Sequence, residues 1–180
     1  MPLEGPPAPL TPVERVQLSR ALLETGREPQ AVEVAKPLIE CSDPPPDLRR
    51  RIGSLMLDAG FPLEASGLLE PLVGSGDATP SEVLALAQAL ERSGGTERAG
   101  DLYRSLLAEP SSPIAADAHA GLARLAWWEG DLRGTVEHLR AHADAVVSEP
   151  ARARAQEAIR RLENLLELRD EPAQQTGGDS

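Results

Sequence analysis

The sequence predicts an all-α protein, a right-handed α-solenoid of about four helical hairpins followed by a C-terminal capping helix. Three observations predict it. Gly26 with a small residue five places on, Ala31, recurs as Gly60 with Ala65, Gly94 with Ala99 and Gly130 with Thr135, so the glycines are spaced by 34, 34 and 36 residues. Apolar residues fall at helical intervals on both sides of each glycine, and a period in this range marks a helical-hairpin array. Aromatic side chains are confined to Phe61, Tyr103, Trp127 and Trp128. A chain so poor in rings must fill its core with aliphatic side chains between closely approaching helices.

Taken in order, residues 1–10 are proline-rich and are expected to be a flexible lead-in to a repeat domain over 11–168. The first hairpin spans about 11–41. Thr11 can cap its first helix, Pro12 suits the first helical position and Glu14 completes a capping box. Val16, Leu18, Leu22 and Leu23 form the stripe up to Gly26, which permits the left-handed turn that ends a helix. Pro29 opens the second helix, whose buried side is expected to include Ala31, Val34, Ala35, Leu38 and Ile39.

Ser42 to Asp47 breaks the chain before the second hairpin, about 47–74, with Ile52, Leu55 and Met56 leading to Gly60 and Ala65, Leu68, Leu69 and Leu72 beyond it. Thr79-Pro80-Ser81-Glu82 repeats the capping pattern and starts the third, about 80–109; Pro110 to Pro113 separates it from the fourth, about 113–147. A last helix, 150–168, carries Ala155, Ala158, Ile159, Leu162, Leu165 and Leu166 on one face and Arg and Glu on the other. Residues 169–180 are expected to be a disordered tail. Pro37 and Pro71 occupy the same place within the second helices of hairpins one and two, where a proline is expected to kink the helix on its outer side.

The small residues of the first helices, Ser19, Gly53, Ala87 and Ala123, each follow a large apolar one (Leu18, Ile52, Leu86 and Leu122), and the second helices offer Ala35, Leu69, Tyr103 and Leu139 in one register. With the glycines and the small residues after them, this pattern resembles the tetratricopeptide (TPR) repeat over about Pro12 to Val147. The usual early tryptophan and the tyrosine of the first helix are absent. The resemblance implies a concave groove lined by the first helices, in which a protein segment lies. The groove positions it assigns include Arg20, Arg50, Leu57, Gln88, Arg92, Arg124, Trp127 and Trp128. The lysine and asparagine set with which some members of that family hold a C-terminal carboxylate is absent, Val16 and Arg20 standing in the first pair's place.

Composition narrows the function. The formal net charge of −11 argues against general attraction to nucleic acid or anionic membranes. No run approaches the ~20 apolar residues of a membrane span. The N-terminus has neither the positive region nor the apolar run of a signal peptide, so a soluble, cytoplasmic protein is expected. Cys41 is the sole cysteine, which excludes an intramolecular disulfide.

Signals for chemistry are weak. Cys41 stands far along the chain from His119, His138 and His142, so a Cys–His pair would have to span several hairpins. His138 and His142 lie one helical turn apart and could share a metal with His119 or Asp117, but partial burial is the simpler account, and no metal or cofactor is expected. Gly94-Gly95 and Gly74-Ser75-Gly76 lack the strand and lysine of a phosphate loop. Arg152, Arg154, Arg160 and Arg161 on the last helix are interleaved with Glu157, Glu163 and Glu167 and lack aromatic neighbours, the pattern of a salt-bridged solvated face rather than an RNA site.

Trp127 and Trp128 are the sharpest local feature. Adjacent helical residues point about 100° apart, so one ring can enter the core while the other reaches the groove; packing of both against the fourth hairpin and last helix is the alternative. Such rings beside arginine are typical interface anchors. The last helix is expected to cap the stack, with self-association into a homodimer through Leu162, Leu165, Leu166 and Leu168 as its other use. The sum is a non-catalytic, bacterial-type adaptor or scaffold that binds a protein or peptide segment. A dedicated chaperone for a secreted or assembly protein is the alternative of the same kind, and a small metal- or nucleotide-handling enzyme the alternative from another class.

Overall fold

Thr11 and Thr79 begin two helices in the same way. In a computed structural model, which describes residues 9–41, 44–108 and 112–170, the Thr11 amide donates to Glu14 Oε2 at 2.7 Å and the Glu14 amide donates to Thr11 Oγ1 at 3.3 Å. Thr79 and Glu82 repeat the reciprocal pair at 2.7 and 3.4 Å. Each box satisfies two amide donors that the first helical turn leaves without partners. The hydrogen bonds that Glu14 accepts from Thr11 hold its carboxyl below the ordinary range.

All regular structure among the described residues is helical. The chain divides into two compact units, the first ending at Gly95 and the second beginning at Thr96. The first holds α1 (Pro12–Glu24), α2 (Glu28–Ile39), α3 (Pro46–Asp58), α4 (Pro62–Gly74) and α5 (Pro80–Ser93). The second holds α6 (Thr96–Ser105), a 3-10 turn (Leu106–Ala108), α7 (Pro113–Trp128), α8 (Leu132–Ala145) and α9 (Glu149–Asp170). The expected third hairpin is therefore divided, α5 belonging to one unit and α6 to the other. Most of the expected lead-in and tail, and parts of the junctions at 42–43 and 109–111, lie outside the described residues. None of the described helices is long and apolar enough to cross a membrane.

The recurring glycines turn the chain alike. Gly26, Gly60, Gly94 and Gly130 have φ of 70°, 81°, 93° and 77°, a conformation that costs glycine little and other residues more. After each, the next amide donates five residues back: Arg27 to Leu22, Phe61 to Met56 and Gly95 to Leu90 at 2.8 Å, and Asp131 to Ala126 at 2.9 Å. This is the Schellman closure, which satisfies a carbonyl at the helix end. A second device locks the starts. Proline occupies the first or second position of α1, α2, α3, α4, α5, α7 and α9, where its missing N–H costs nothing.

In the first unit, successive helices pack through small residues. Ser19 is fully buried, and its hydroxyl donates to the Ala31 carbonyl at 2.9 Å, tying α1 to α2. Gly53 lies against Leu69, so close that a Cβ at Gly53 would stand 2.8 Å from Leu69 Cδ2. Helix α3 packs on α1, α4 and α5, and the core gathers around its Ile52, Leu55, Met56 and Leu57 with Val16, Ala35 and Leu38. Each such aliphatic side chain contributes about 1.5–3 kcal/mol on burial. Pro37 and Pro71 do not end α2 and α4, because both stand in the last turn on an exposed face. The carbonyls they release, at Glu33 and Gly67, belong to exposed residues and can bond to water.

The second unit is organised around α7 and α8. Tyr103 of α6 is fully buried, its ring seated on Gly121 of α7, where a Cβ would overlap the ring. Helix α8 starts where Asp131 Oδ1 accepts from the Gly134 amide at 2.9 Å. Helix α9 packs on α8 through Ile159 and Leu162 against Val136, flanked by Leu132, Leu139 and Leu166. Arg152 fixes the joint: its Nε donates to the Ala143 carbonyl at 3.2 Å and its Nη2 to the Val146 carbonyl at 2.9 Å, satisfying the C-terminal end of α8.

Candidate binding groove

Helix α9 leans on α8 and leaves a trough between itself and α7, about 1040 Å³ in volume and within the second unit. The α7 wall is Ala120, Ala123, Arg124 and Trp127, residues that share one helical face by their spacing of three and four. The α9 wall repeats that period, with Ala151, Ala155 and Ala158 low on it and Leu162 and Leu165 towards its C-terminal end. Thr135, Leu139 and His142 of α8 form the floor. Alanines keep the trough wide, while Trp127, half exposed, and Leu165, 49% exposed, supply apolar surface at its edge.

Charge at the trough is net positive. Arg124, Arg154 and Arg161 line it against the single carboxylate of Glu157, a local reversal on a chain of net charge −11. Glu157 is engaged by its own helix, accepting from Arg161 Nε at 2.9 Å and also from Arg160, contacts that hold its carboxyl below the ordinary range. The uncharged polar groups of the floor are engaged too: the Thr135 hydroxyl donates to the Asp131 carbonyl at 2.7 Å, and His142 Nδ1 donates to the Ala116 carbonyl at 2.8 Å.

Two of the groove positions expected from the sequence meet here, Arg124 and Trp127. Trp128 is 57% exposed and does not line the trough. Neither of the paired rings enters the core: Leu122, Leu125 and Ala126 fill the inward positions of the last turns of α7, which leaves 127 and 128 outside. The remaining positions lie in the first unit. Arg20 is exposed and Gln88 half-buried. Leu57 is corrected from groove to core, since α3 is covered by α1, α4 and α5 and Leu57 keeps only 6% of its surface. Arg50 serves as a tie between helices: it pairs with Asp47 at 2.9 Å, and its Nε stands 2.6 Å from Glu82 Oε1 as an ion contact without hydrogen-bond alignment. Arg92 donates to the Leu57 carbonyl at 3.3 Å.

The histidines do not pair as their spacing along α8 suggests. His138 turns to His119 of α7, the two Nδ1 atoms 3.2 Å apart, while His142 bonds to the α7 backbone. Burial holds the imidazole of His119 below its ordinary pKa, and the neighbouring His138 and His142 charges add to that. Burial does the same for His138, opposed by Glu137 and reinforced by Arg104. No three metal-ligating side chains converge among the described residues. Cys41 is exposed at the end of α2.

The arginines of α9 mostly contact acids and carbonyls. Arg152 pairs with Glu149 at 2.8 Å, Arg160 and Arg161 with Glu157, and Arg154 Nε donates to the Pro150 carbonyl at 3.2 Å. The sequence reading missed the contribution of α9 to the trough. Its alanines at 151, 155 and 158 carry the helical period that marks a packed face, but periodicity alone does not say what the face looks onto. Compared with known proteins, the chain matches no protein-family model and no curated protein.

Proposed function

We propose that the chain is a TPR-like repeat protein, with α9 as the closing helix of an α-solenoid, and that it acts without catalysis as an adaptor or scaffold holding a segment of a partner protein. The repeated left-handed glycine turns and small-residue contacts support the repeat reading. The observation that carries the binding reading is the apolar trough edged by Trp127 and Leu165, since a large ring half exposed beside arginine is costly to leave bare and typical of an interface anchor.

The test is affinity capture on the immobilised full chain, beside Trp127→Ala and Trp128→Ala chains that keep the parent circular-dichroism spectrum. Trp127→Ala is expected to lose a protein that the parent retains, while Trp128→Ala keeps it. Equal capture by all three removes the trough as the binding site.

A further inference from the structure

We infer that the occupant of the trough is an amphipathic α-helix of a partner protein with acidic residues flanking its apolar face. The inference rests on the reading of the trough as a protein-binding site and adds the conformation and charge of what enters it.

The conformation follows from what the walls can offer a backbone. All three walls are helices, whose interior amides and carbonyls are already paired, and the hydroxyl of Thr135 and Nδ1 of His142 are spent on carbonyls of their own unit. An extended segment would bring unpaired amides into a trough whose charged lining is mainly guanidinium donors and whose one carboxylate is already engaged, at about 1–3 kcal/mol for each buried group left unanswered. A helix arrives with its backbone satisfied. The walls also have the right form: two helical faces with residues at intervals of three and four, low alanines that allow close approach, and a ring and leucines for the partner's apolar face. From Ala151 to Leu165 the α9 wall rises about 21 Å, the length of a helix of about four turns.

The charge follows from the rim. Three arginines line the trough against one carboxylate, which Arg161 of the lining shares with Arg160, so the lining is net positive. A guanidinium pairs best with a carboxylate, and a basic flank on the occupant would meet a lining whose net charge is positive. Glutamates or aspartates beside the apolar face are the complementary choice.

The experiment titrates the full chain with four synthetic helical peptides of about 14 residues, following tryptophan fluorescence, heat and helicity. Three share one Leu/Ala face and differ in their flanks, which are Glu, Gln or Lys; the fourth is the Glu peptide with a central proline. The Glu peptide is expected to bind about tenfold more tightly than the Gln peptide, to gain helicity and to weaken with added salt. The Lys and proline peptides are expected not to bind. Arg154→Glu/Arg161→Glu is expected to exchange the preference for Glu over Lys, with the circular-dichroism spectrum unchanged.

Equal affinity for the three flanks, or an unchanged preference in the double variant, overturns the charge; tight binding of the proline peptide overturns the helix. If no peptide binds while the parent chain still captures a protein through Trp127, this inference falls and the adaptor reading stands. If capture fails as well, both fall. A dimer mass by light scattering that Leu165→Glu converts to monomer puts a second copy in the trough and also overturns the inference.

Discussion

Helices α3 and α7 hold equivalent places in the repeating pattern, each preceding a left-handed glycine, yet the side of α3 towards α5 is closed and the side of α7 towards α9 is open. The difference lies in what the following helix brings. Helix α5 carries Glu82 to Arg50, and Arg92 to the Leu57 carbonyl, so polar side chains tie the two first helices and cover the surface between them. Helix α9 carries Ala151, Ala155 and Ala158 to the facing side of α7, and its longer lining arginines, Arg154 and Arg161, bond within α9 to Pro150 and Glu157. The arginines on these helices meet different surroundings: Arg50 and Arg92 tie helices on the closed side, and Arg124 lines a trough. An exposed groove arises where a helix leans on one neighbour only.

The largest effect is expected at the glycine seats beneath the two sides. Gly121→Ala forces a Cβ into the rigid ring of Tyr103 and is expected to cost about 2–3 kcal/mol. Gly53→Ala meets the flexible end of Leu69, and the gain in helix propensity offsets the crowding, so a loss of under about 1 kcal/mol is expected. Urea denaturation of the two variants measures the difference. Equal losses show that the seats are alike and that the comparison needs another basis.

Next comes the hold of α9. Leu162→Ala removes a side chain that packs with Ile159 on Val136 and is expected to cost about 2–4 kcal/mol. Hydrogen exchange is expected to rise along α9 and not in α3, because this cluster joins α9 to α8.

Acid should separate the two regions as well. All three histidines lie beyond residue 118, so only the second unit carries them. His119 and His138 are held below the ordinary value of 6.5, which means that the folded state prefers them neutral. Their contribution is full above that value and is lost as pH falls through the lowered values. Stability measured from pH 8 down to pH 5 should decline more in the parent than in His119→Gln/His138→Gln; parallel curves would remove the pair as the cause.

The smallest effect belongs to the closed side. A double-mutant cycle on Arg50→Ala and Glu82→Ala is expected to give a coupling of about 0.5–1 kcal/mol, since the pair is only partly shielded from water. A coupling of zero would mean that packing alone closes α3 against α5.

Much of this architecture was legible before any coordinates, because it rests on local chemistry. Thr11 with Glu14, Thr79 with Glu82 and the recurring glycines act within five residues of themselves, so their spacing is their mechanism. The site was less legible. Leu57 and Trp127 both sit at the helix faces that the repeat pattern assigns to a groove, and only the third neighbour of α3 decides that one is core and the other edge. His138 likewise bonds across to α7 rather than along α8, a choice set by the packing of two helices and invisible in the spacing of either.

The prolines at the helix starts have a consequence for oligomeric state. A chain this rich in alanine, leucine, glutamate and arginine could straighten a turn and fuse two helices into one long rod, whose halves would then pair with those of another copy. A proline at the start of the next helix blocks that path, since it keeps the preceding residue out of the helical region and removes a donor the rod would need. Helices α6 and α8, which begin at Thr96 and Leu132, have no such block. Between α7 and α8 the left-handed turn at Gly130 is the guard, so the joint that shapes one end of the trough is also a place where two copies could exchange arms.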